Sequence, residues 1–196
     1  MEYSNRSPLL SICICAIPSR EQMCKDLRDF LMHQIHSVGN KHKLYGVAEI
    51  LTIMNLNQNI GEKRNDLLKM ANGKFIVFID DDDMVADDYV EQIIHAIHEN
   101  PDCDCIGIKG IITFDGTNEK KWQISKDFGS WFEDNMMYYR TPNHISPIRT
   151  SIAQSIGFPN ISNGEDFEFS MKILPHLKTE VKIDKELYHY RYISNK

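Results

Sequence analysis

Apolar, β-branched stretches alternate three times with amphipathic ones in the first hundred residues, and few architectures accept that rhythm. Residues 9–17, 47–54 and 75–79 are nearly continuous apolar runs, as expected of strands buried on both faces. Helical spacing intervenes. Met23, Leu27, Phe30, Leu31 and Ile35 recur on one face, a second helix is expected from about Glu62 to Ala71, and a third from about Asp87 to Glu99. Val90, Ile93, Ile94 and Ile97 form the apolar stripe of the third. Ser19 with Gln22 predicts a capping box for the first helix, and Asn72-Gly73 predicts the stop of the second. A β-α-β-α-β-α order implies a mostly parallel sheet with right-handed crossovers, flanked by helices.

The rhythm changes after Cys103. Residues 106–114 and 121–124 around Asp115-Gly116 predict a hairpin. Residues 136–140 predict a strand, 150–156 and 165–174 short helices, and 181–183 and 188–193 two closing strands. With no repeat, no low-complexity tract and no linker, residues 1–196 read as one α/β domain. Residues 9–102 form its first half, and 103–196 a smaller, more antiparallel half.

The charge balance of 22 Lys and Arg against 28 Asp and Glu, net -6, argues against a general nucleic-acid binder. An acidic chain that handles phosphorylated ligands needs a metal or a focused set of cations. No apolar run approaches the roughly 18 residues of a membrane span. Residues 1–8 are polar and lack the pattern of a secretory signal. Cys13/Cys15 and Cys103/Cys105 are spaced by one residue rather than two. That spacing suits neighbours on one face of a strand better than a zinc knuckle or a disulfide, so a reducing, cytoplasmic setting is expected.

Asp80, Asp81, Asp82 and Asp83 follow directly on the third apolar run. Ligands of open α/β sheets bind outside the carboxyl ends of the strands, and four adjacent carboxylates there repel one another. A hard divalent cation, Mg²⁺ or Mn²⁺, removes the repulsion and bridges the phosphates of a nucleoside diphosphate. A solvated acidic loop capping the next helix is the plainer reading. An EF-hand does not fit, because no glycine stands sixth and Val85 occupies a ligand position.

Phe78-Ile79-Asp80-Asp81-Asp82-Asp83 resembles the Asp-x-Asp signature of glycosyltransferases with the GT-A fold, in particular the family-2 group. Gly61-Glu62-Lys63-Arg64-Asn65, Ala71-Asn72-Gly73-Lys74-Phe75-Ile76, Ile17-Pro18-Ser19-Arg20 and Gly164-Glu165-Asp166 are similar to further elements of that group, in the same order. The resemblance spans residues 11–192. It implies an inverting transfer of a sugar from a nucleoside-diphosphate sugar, with UDP the expected nucleotide, to a glycan or glycoconjugate hydroxyl. It also implies Asp166 as general base with Glu165 orienting the acceptor, and a metal on Asp82 and Asp83. Donor contacts are expected from Pro18, Ser19, Arg20, Asp80 and Asp81.

Arg64, near the positive end of the second helix, is a candidate phosphate or base contact, and Asn65 a candidate support for the aspartate loop. Asn55 stands where the group commonly has an acid, and its amide can bond a pyrimidine edge. His189 is a candidate metal ligand, although in the commoner pattern the late histidine follows the Tyr-Arg pair. His144 is a candidate donor-sugar or acceptor contact. Trp131, Phe132, Tyr138 and Tyr139 are candidates for stacking on sugar rings. A sugar-phosphate nucleotidyltransferase is the alternative, weakened because Pro18-Ser19-Arg20 replaces a Gly-rich phosphate loop. An inactive glycan-binding relative is the other.

Overall fold

The computed structural model describes residues 7–194, so the polar opening segment lies, through residue 6, outside the described residues. The first half runs β1 (Leu10–Ala16), α1 (Glu21–His42), β2 (Ala48–Met54), α2 (Ile60–Met70), β3 (Phe75–Asp80), β4 (Met84–Val85) and α3 (Tyr89–Glu99). The second runs β5 (Cys105–Phe114), β6 (Thr117–Ile124), β7 (Phe132–Glu133), β8 (Met137–Arg140) and β9 (Ile148–Arg149). It ends with α4 (Thr150–Ile156), α5 (Glu165–Ile173) and β10 (Glu180–Tyr192).

The three apolar runs pair in parallel, with β1 between β2 and β3. Pleating sends alternate side chains to opposite faces, and the core divides accordingly. Leu10, Ile12 and Ile14 of β1 and Phe75, Val77 and Ile79 of β3 pack with Leu27, Leu31 and Ile35 of α1 and Ile93 and Ile97 of α3. Cys13, Cys15, Ile76 and Phe78 face the other way, against Leu67 of α2, Ala153 of α4 and Phe169 and Ile173 of α5. The sheet is therefore covered on both sides, and the carboxyl ends of β1 and β3 are left as the place where a ligand can reach the backbone.

Local details differ from the expectation. Pro18, Ser19 and Arg20 form a 3-10 turn, and α1 starts without a side-chain cap. The predicted capping box is absent because Gln22 bonds Asp26 instead. Phe30 is exposed while Cys24 takes its place in the buried stripe. The capping box that does form belongs to α2, where Asn59 and Glu62 bond each other's backbone N–H. All five cysteines are free and buried. Cys13 and Cys15 share a face as expected, but Cys103 lies outside the strand and packs in the opposite core from Cys105. Burial pushes Cys15 up to about 12, as for a thiol packed as a small hydrophobe.

The second half is the more antiparallel one, with antiparallel pairs β5–β6, β5–β9, β7–β8 and β4–β10 and, among the described residues, two parallel exceptions. β5 pairs antiparallel with β6, but β6 runs parallel to β8 and β10 runs parallel to β5. The two expected closing strands are one 13-residue strand, β10, whose register shifts between Lys182 and Tyr188. Its far part also pairs antiparallel with β4, setting Tyr188 opposite Val85 and His189 opposite Met84. β10 is thereby clamped beside the aspartates that precede β4. Among the described residues no helix is long and apolar enough to cross a membrane.

Candidate active site

Each aspartate of the turn has its own partners. Asp80 ends β3. Its Oδ1 accepts from Arg64 at 3.3 Å and its Oδ2 lies 3.5 Å from His144 Nε2. Burial works to raise the Asp80 pKa, but His144 and Arg64 outweigh it and hold the carboxyl well below the usual range. Asp81 Oδ2 accepts from the Ile17 N–H at 3.3 Å, and its Oδ1 forms an ion pair with Arg20 at 3.1 Å. Burial nevertheless pushes it up to about 6, against the pull of Arg20. The same guanidinium binds Asp82. Arg20, set by the 3-10 turn after β1, thus clasps the two middle aspartates.

Asp83 turns inward. Its Oδ2 accepts from the Tyr188 hydroxyl at 2.7 Å and its Oδ1 from the Arg191 N–H at 2.8 Å. The Tyr188 oxygen in turn accepts from the Asp80 N–H at 3.2 Å, and Arg191 Nε donates to the Asp82 carbonyl at 2.7 Å. Strand β10 therefore fastens both ends of the turn. Burial, helped by the Asp80 charge, pushes Asp83 up to about 8.

A second pair of acids arrives on α5. Glu165 accepts from Arg64 at 2.5 Å. Arg64 is only 3% exposed and packs against the rings of Phe78 and Phe158, 5.9 and 5.4 Å from their centroids. Its planar fork joins the end of β3 to the start of α5, so the structure makes it an internal strut at the base of the site rather than a free phosphate contact. Burial raises the pKa of Glu165 and Arg64 opposes that rise. Asp166 is more open. Its Oδ1 caps the Phe167 N–H, and its Oδ2 lies 4.0 Å from His144 Nδ1. His144 stands between the aspartate turn and Asp166, and neither ring nitrogen has a closer polar partner.

Asp80, Asp83, His144, Glu165, Asp166 and Tyr190 line a cavity of about 540 Å³, while Arg20, Asp81 and Asp82 lie outside its lining. Trp122, Trp131 and Tyr138 supply aromatic wall, as sugar-binding sites commonly do. A larger cleft of about 670 Å³ lies over the outer side of α2 and α4, lined by such residues as Gln58, Asp66 and Gln154. It contains none of the four turn aspartates and none of the α5 acids, so chemistry singles out the smaller one.

Several expected residues sit elsewhere or do other work. Asn55 spends its amide on Gln58, donating at 2.7 Å and accepting at 3.2 Å. Asn65 does not support the aspartate loop. It binds the Phe158 carbonyl and N–H and the Asn160 side chain, holding the segment that leads to α5. His189 bonds Thr113 at 2.8 Å through Nε2, on the side of β10 away from Tyr188 and Asp83. The structure does not bring it to the aspartates, because strand alternation turns adjacent residues apart. Two contributors carried no sequence signal. Tyr188 looked like one aromatic among several, and Lys63 is buried, donating to the Ala16 and Asn55 carbonyls at 2.9 and 2.6 Å.

Among the described residues no three His, Cys, Asp or Glu side chains already form a metal cage. The oxygen-only set of Asp82 and Asp83 nonetheless suits Mg²⁺ or Mn²⁺. Each Asp83 oxygen accepts one hydrogen bond and keeps a second lone pair. A cation there would offset the burial and the Asp80 charge that push the Asp83 pKa up.

A parallel sheet with an aspartate turn at its carboxyl edge and an acidic helix facing it defines a GT-A glycosyltransferase fold. The sequence profile of glycosyl transferase family 2 matches residues 48–160, more than half of the chain, and the chain belongs to that family. Solved structures agree on the fold. S. aureus TarS residues 1–349 in complex with UDP-GlcNAc superposes with a TM-score of 0.66 at 17% identity, covering 95% of this chain and 59% of that one. The same S. aureus fragment with UDP gives 0.65 at 19% identity, with 93% and 60% covered. The longer S. aureus TarS structure gives 0.64 at 19%, with 93% and 36% covered. The chain thus spans three fifths or less of the length of these structures. No curated protein matches it significantly in sequence.

Proposed function

We propose that this chain is the catalytic domain of an inverting glycosyltransferase that moves a sugar from a UDP-sugar to a hydroxyl acceptor. The observation that carries the reading is the facing of two carboxylate sets across one cavity, the turn at residues 80–83 and Asp166, with His144 between them. UDP is favoured as the nucleotide because the similar S. aureus TarS structures contain UDP-GlcNAc and UDP. Family membership weighs against the nucleotidyltransferase alternative.

In this reading Pro18, Ser19 and Arg20 border the donor at the end of β1, and Asp80 and Asp81 border its ribose side. Asp82 and Asp83 would hold Mn²⁺ or Mg²⁺, which would offset the charge of the diphosphate. Asp166 Oδ2 accepts the proton of the acceptor hydroxyl. The acceptor oxygen then bonds the anomeric carbon from the face opposite the breaking C–O(phosphate) bond, whose electron pair leaves with the diphosphate. Attack from that face inverts the anomeric centre. Glu165, tied to Arg64, fixes where α5 starts and hence where Asp166 points.

The test is a thermal-shift screen of UDP-, GDP-, CMP- and dTDP-sugars with and without Mn²⁺, followed by a transfer assay. One UDP-sugar should stabilise the protein only with metal, and Asp82→Ala or Asp83→Ala should abolish that. Asp166→Asn should bind donor yet lose transfer. Metal-independent glycan binding without donor turnover would identify an inactive relative instead.

A further inference from the structure

Arg140, at the end of β8, lines the same cavity and has not entered the account so far. Two arginines line that cavity, and they differ sharply. Arg64 is neutralised by Asp80 and Glu165. Arg140 forms no ion pair with any carboxylate among the described residues. One arm of its fork, Nη1, donates to the backbone carbonyls of Phe132 and Tyr139, each at 3.0 Å. Its guanidinium carbon lies 4.9 Å from the ring of Trp131 and 5.0 Å from the ring of Tyr138. Two aromatic rings and two carbonyls therefore hold a half-buried cation in place, while the rest of its planar fork stays uncommitted.

Its place in the fold says which substrate it serves. The Trp131 indole N–H donates to Thr141 at 3.0 Å and to Ser170 of α5 at 3.2 Å, and its ring meets Phe167 edge-on at 5.2 Å. Arg140 is thus built into the wall formed by α5, the helix that carries Asp166, and not into the turn at residues 80–83 across the cavity. A partly desolvated guanidinium without a direct ion pair is costly to maintain, and burial lowers the Arg140 pKa although the more distant Glu133 and Asp166 charges oppose it. A ligand oxyanion would supply a partner in direct contact, and the fork geometry of arginine matches phosphate and carboxylate alike.

We propose that Arg140 is an acceptor-specificity residue, selecting acceptors that carry an oxyanion, a phosphate ester or a sugar carboxylate, near the hydroxyl presented to Asp166. The proposal rests on the glycosyltransferase reading above. Trp131 and Tyr138 keep the guanidinium aimed at the cavity, so the neutral part of the acceptor stacks beside it. The overall net charge of -6 makes a built cation the means of admitting an anionic acceptor that the rest of the surface repels.

The experiment measures binding of three small probes, glucose, glucuronate and glucose 6-phosphate, by calorimetry on the intact chain with UDP and Mn²⁺ present. Wild type should bind at least one anionic probe tenfold or more tighter than glucose, and which one wins separates carboxylate from phosphate. Arg140→Gln should erase that preference, and Arg140→Lys should keep part of it. A melting curve of each variant controls for folding, since Arg140→Lys retains the charge if Arg140→Gln unfolds. Equal binding of the three probes by wild type overturns the proposal, as does a preference that survives in Arg140→Gln. Loss of UDP affinity in both variants would assign Arg140 to the donor diphosphate and also overturn it. Failure of wild type to bind UDP at all would instead overturn the parent reading.

Discussion

His144 holds its Nδ1 4.0 Å from the Asp166 carboxylate while its Nε2 faces Asp80 at 3.5 Å. One imidazole thus links the two halves of the site, and its position between two acids makes it a positioning group for Asp166. His144→Gln keeps a polar group of similar reach without the ring's second nitrogen. Transfer should fall by about a hundredfold, the order for a catalytic group displaced by about 1 Å, with UDP affinity little changed. A shift in the acidic limb of the kcat profile accompanies that loss if His144 acts on Asp166. A uniform loss without a shift would show that it does not.

Arg64 is the buried strut between Asp80 and Glu165. Removing one member of a buried ion cluster strands the others, which costs about 3–5 kcal/mol. Arg64→Met should lower stability by that order in urea unfolding. The double variant Arg64→Met with Glu165→Gln should lose less than the two single changes added together, because the second change removes a stranded charge.

The pH dependence should be inverted for one part of the site. Asp83 is pushed up to about 8, so between the ordinary carboxylate range and pH 8 the folded chain binds a proton that the unfolded chain has released. Stability from this group therefore falls as pH rises through that window and levels off above it. Asp80, held low, acts with the opposite sign and loses its contribution only on acidification. Asp83→Asn should raise the unfolding free energy of the metal-free protein at pH 8 by more than about 1.4 kcal/mol, the worth of one pKa unit. Mn²⁺ should stabilise wild type increasingly as pH rises and should not stabilise the variant. A wild type that gains stability from pH 5 to 8 while Asp83→Asn shows the same slope would refute this.

Gly61 lies where α2 touches the segment before α5. A Cβ there would sit 1.9 Å from the Pro159 carbonyl oxygen, a backbone atom that cannot swing aside. Gly61→Ala should cost about 1–3 kcal/mol, the usual range for forced repacking, and should also slow transfer by displacing α5. Denaturant unfolding and a single-turnover assay read the two effects separately.

The parallel core was legible because buried strands and helix stripes are local patterns. Residues 75–79 and the stripe of Val90, Ile93 and Ile97 announce themselves within a dozen positions. The aspartate turn was legible for the same reason. What the sequence hid were partnerships across long separations. Tyr188 meets Asp83 over 105 positions, and Arg20 meets Asp82 over 62. Nothing in either neighbourhood marks the partner. His189 and Tyr188 are adjacent, so only the register of β10 against β4 decides which of them faces the aspartates, and register is not written in composition. The single β10 was read as two strands because Asp184 and Lys185 interrupt its apolar pattern where the ladder bulges.

β10 has a bearing on folding order. The hydroxyl and the N–H that shape the turn at residues 80–83 come from Tyr188 and Arg191, 105 and 108 positions away from Asp83. The parallel core closes over much shorter separations, so it can assemble while the turn is still unset. The carboxylate arrangement is therefore among the last features of the fold to form, completed only when β10 docks.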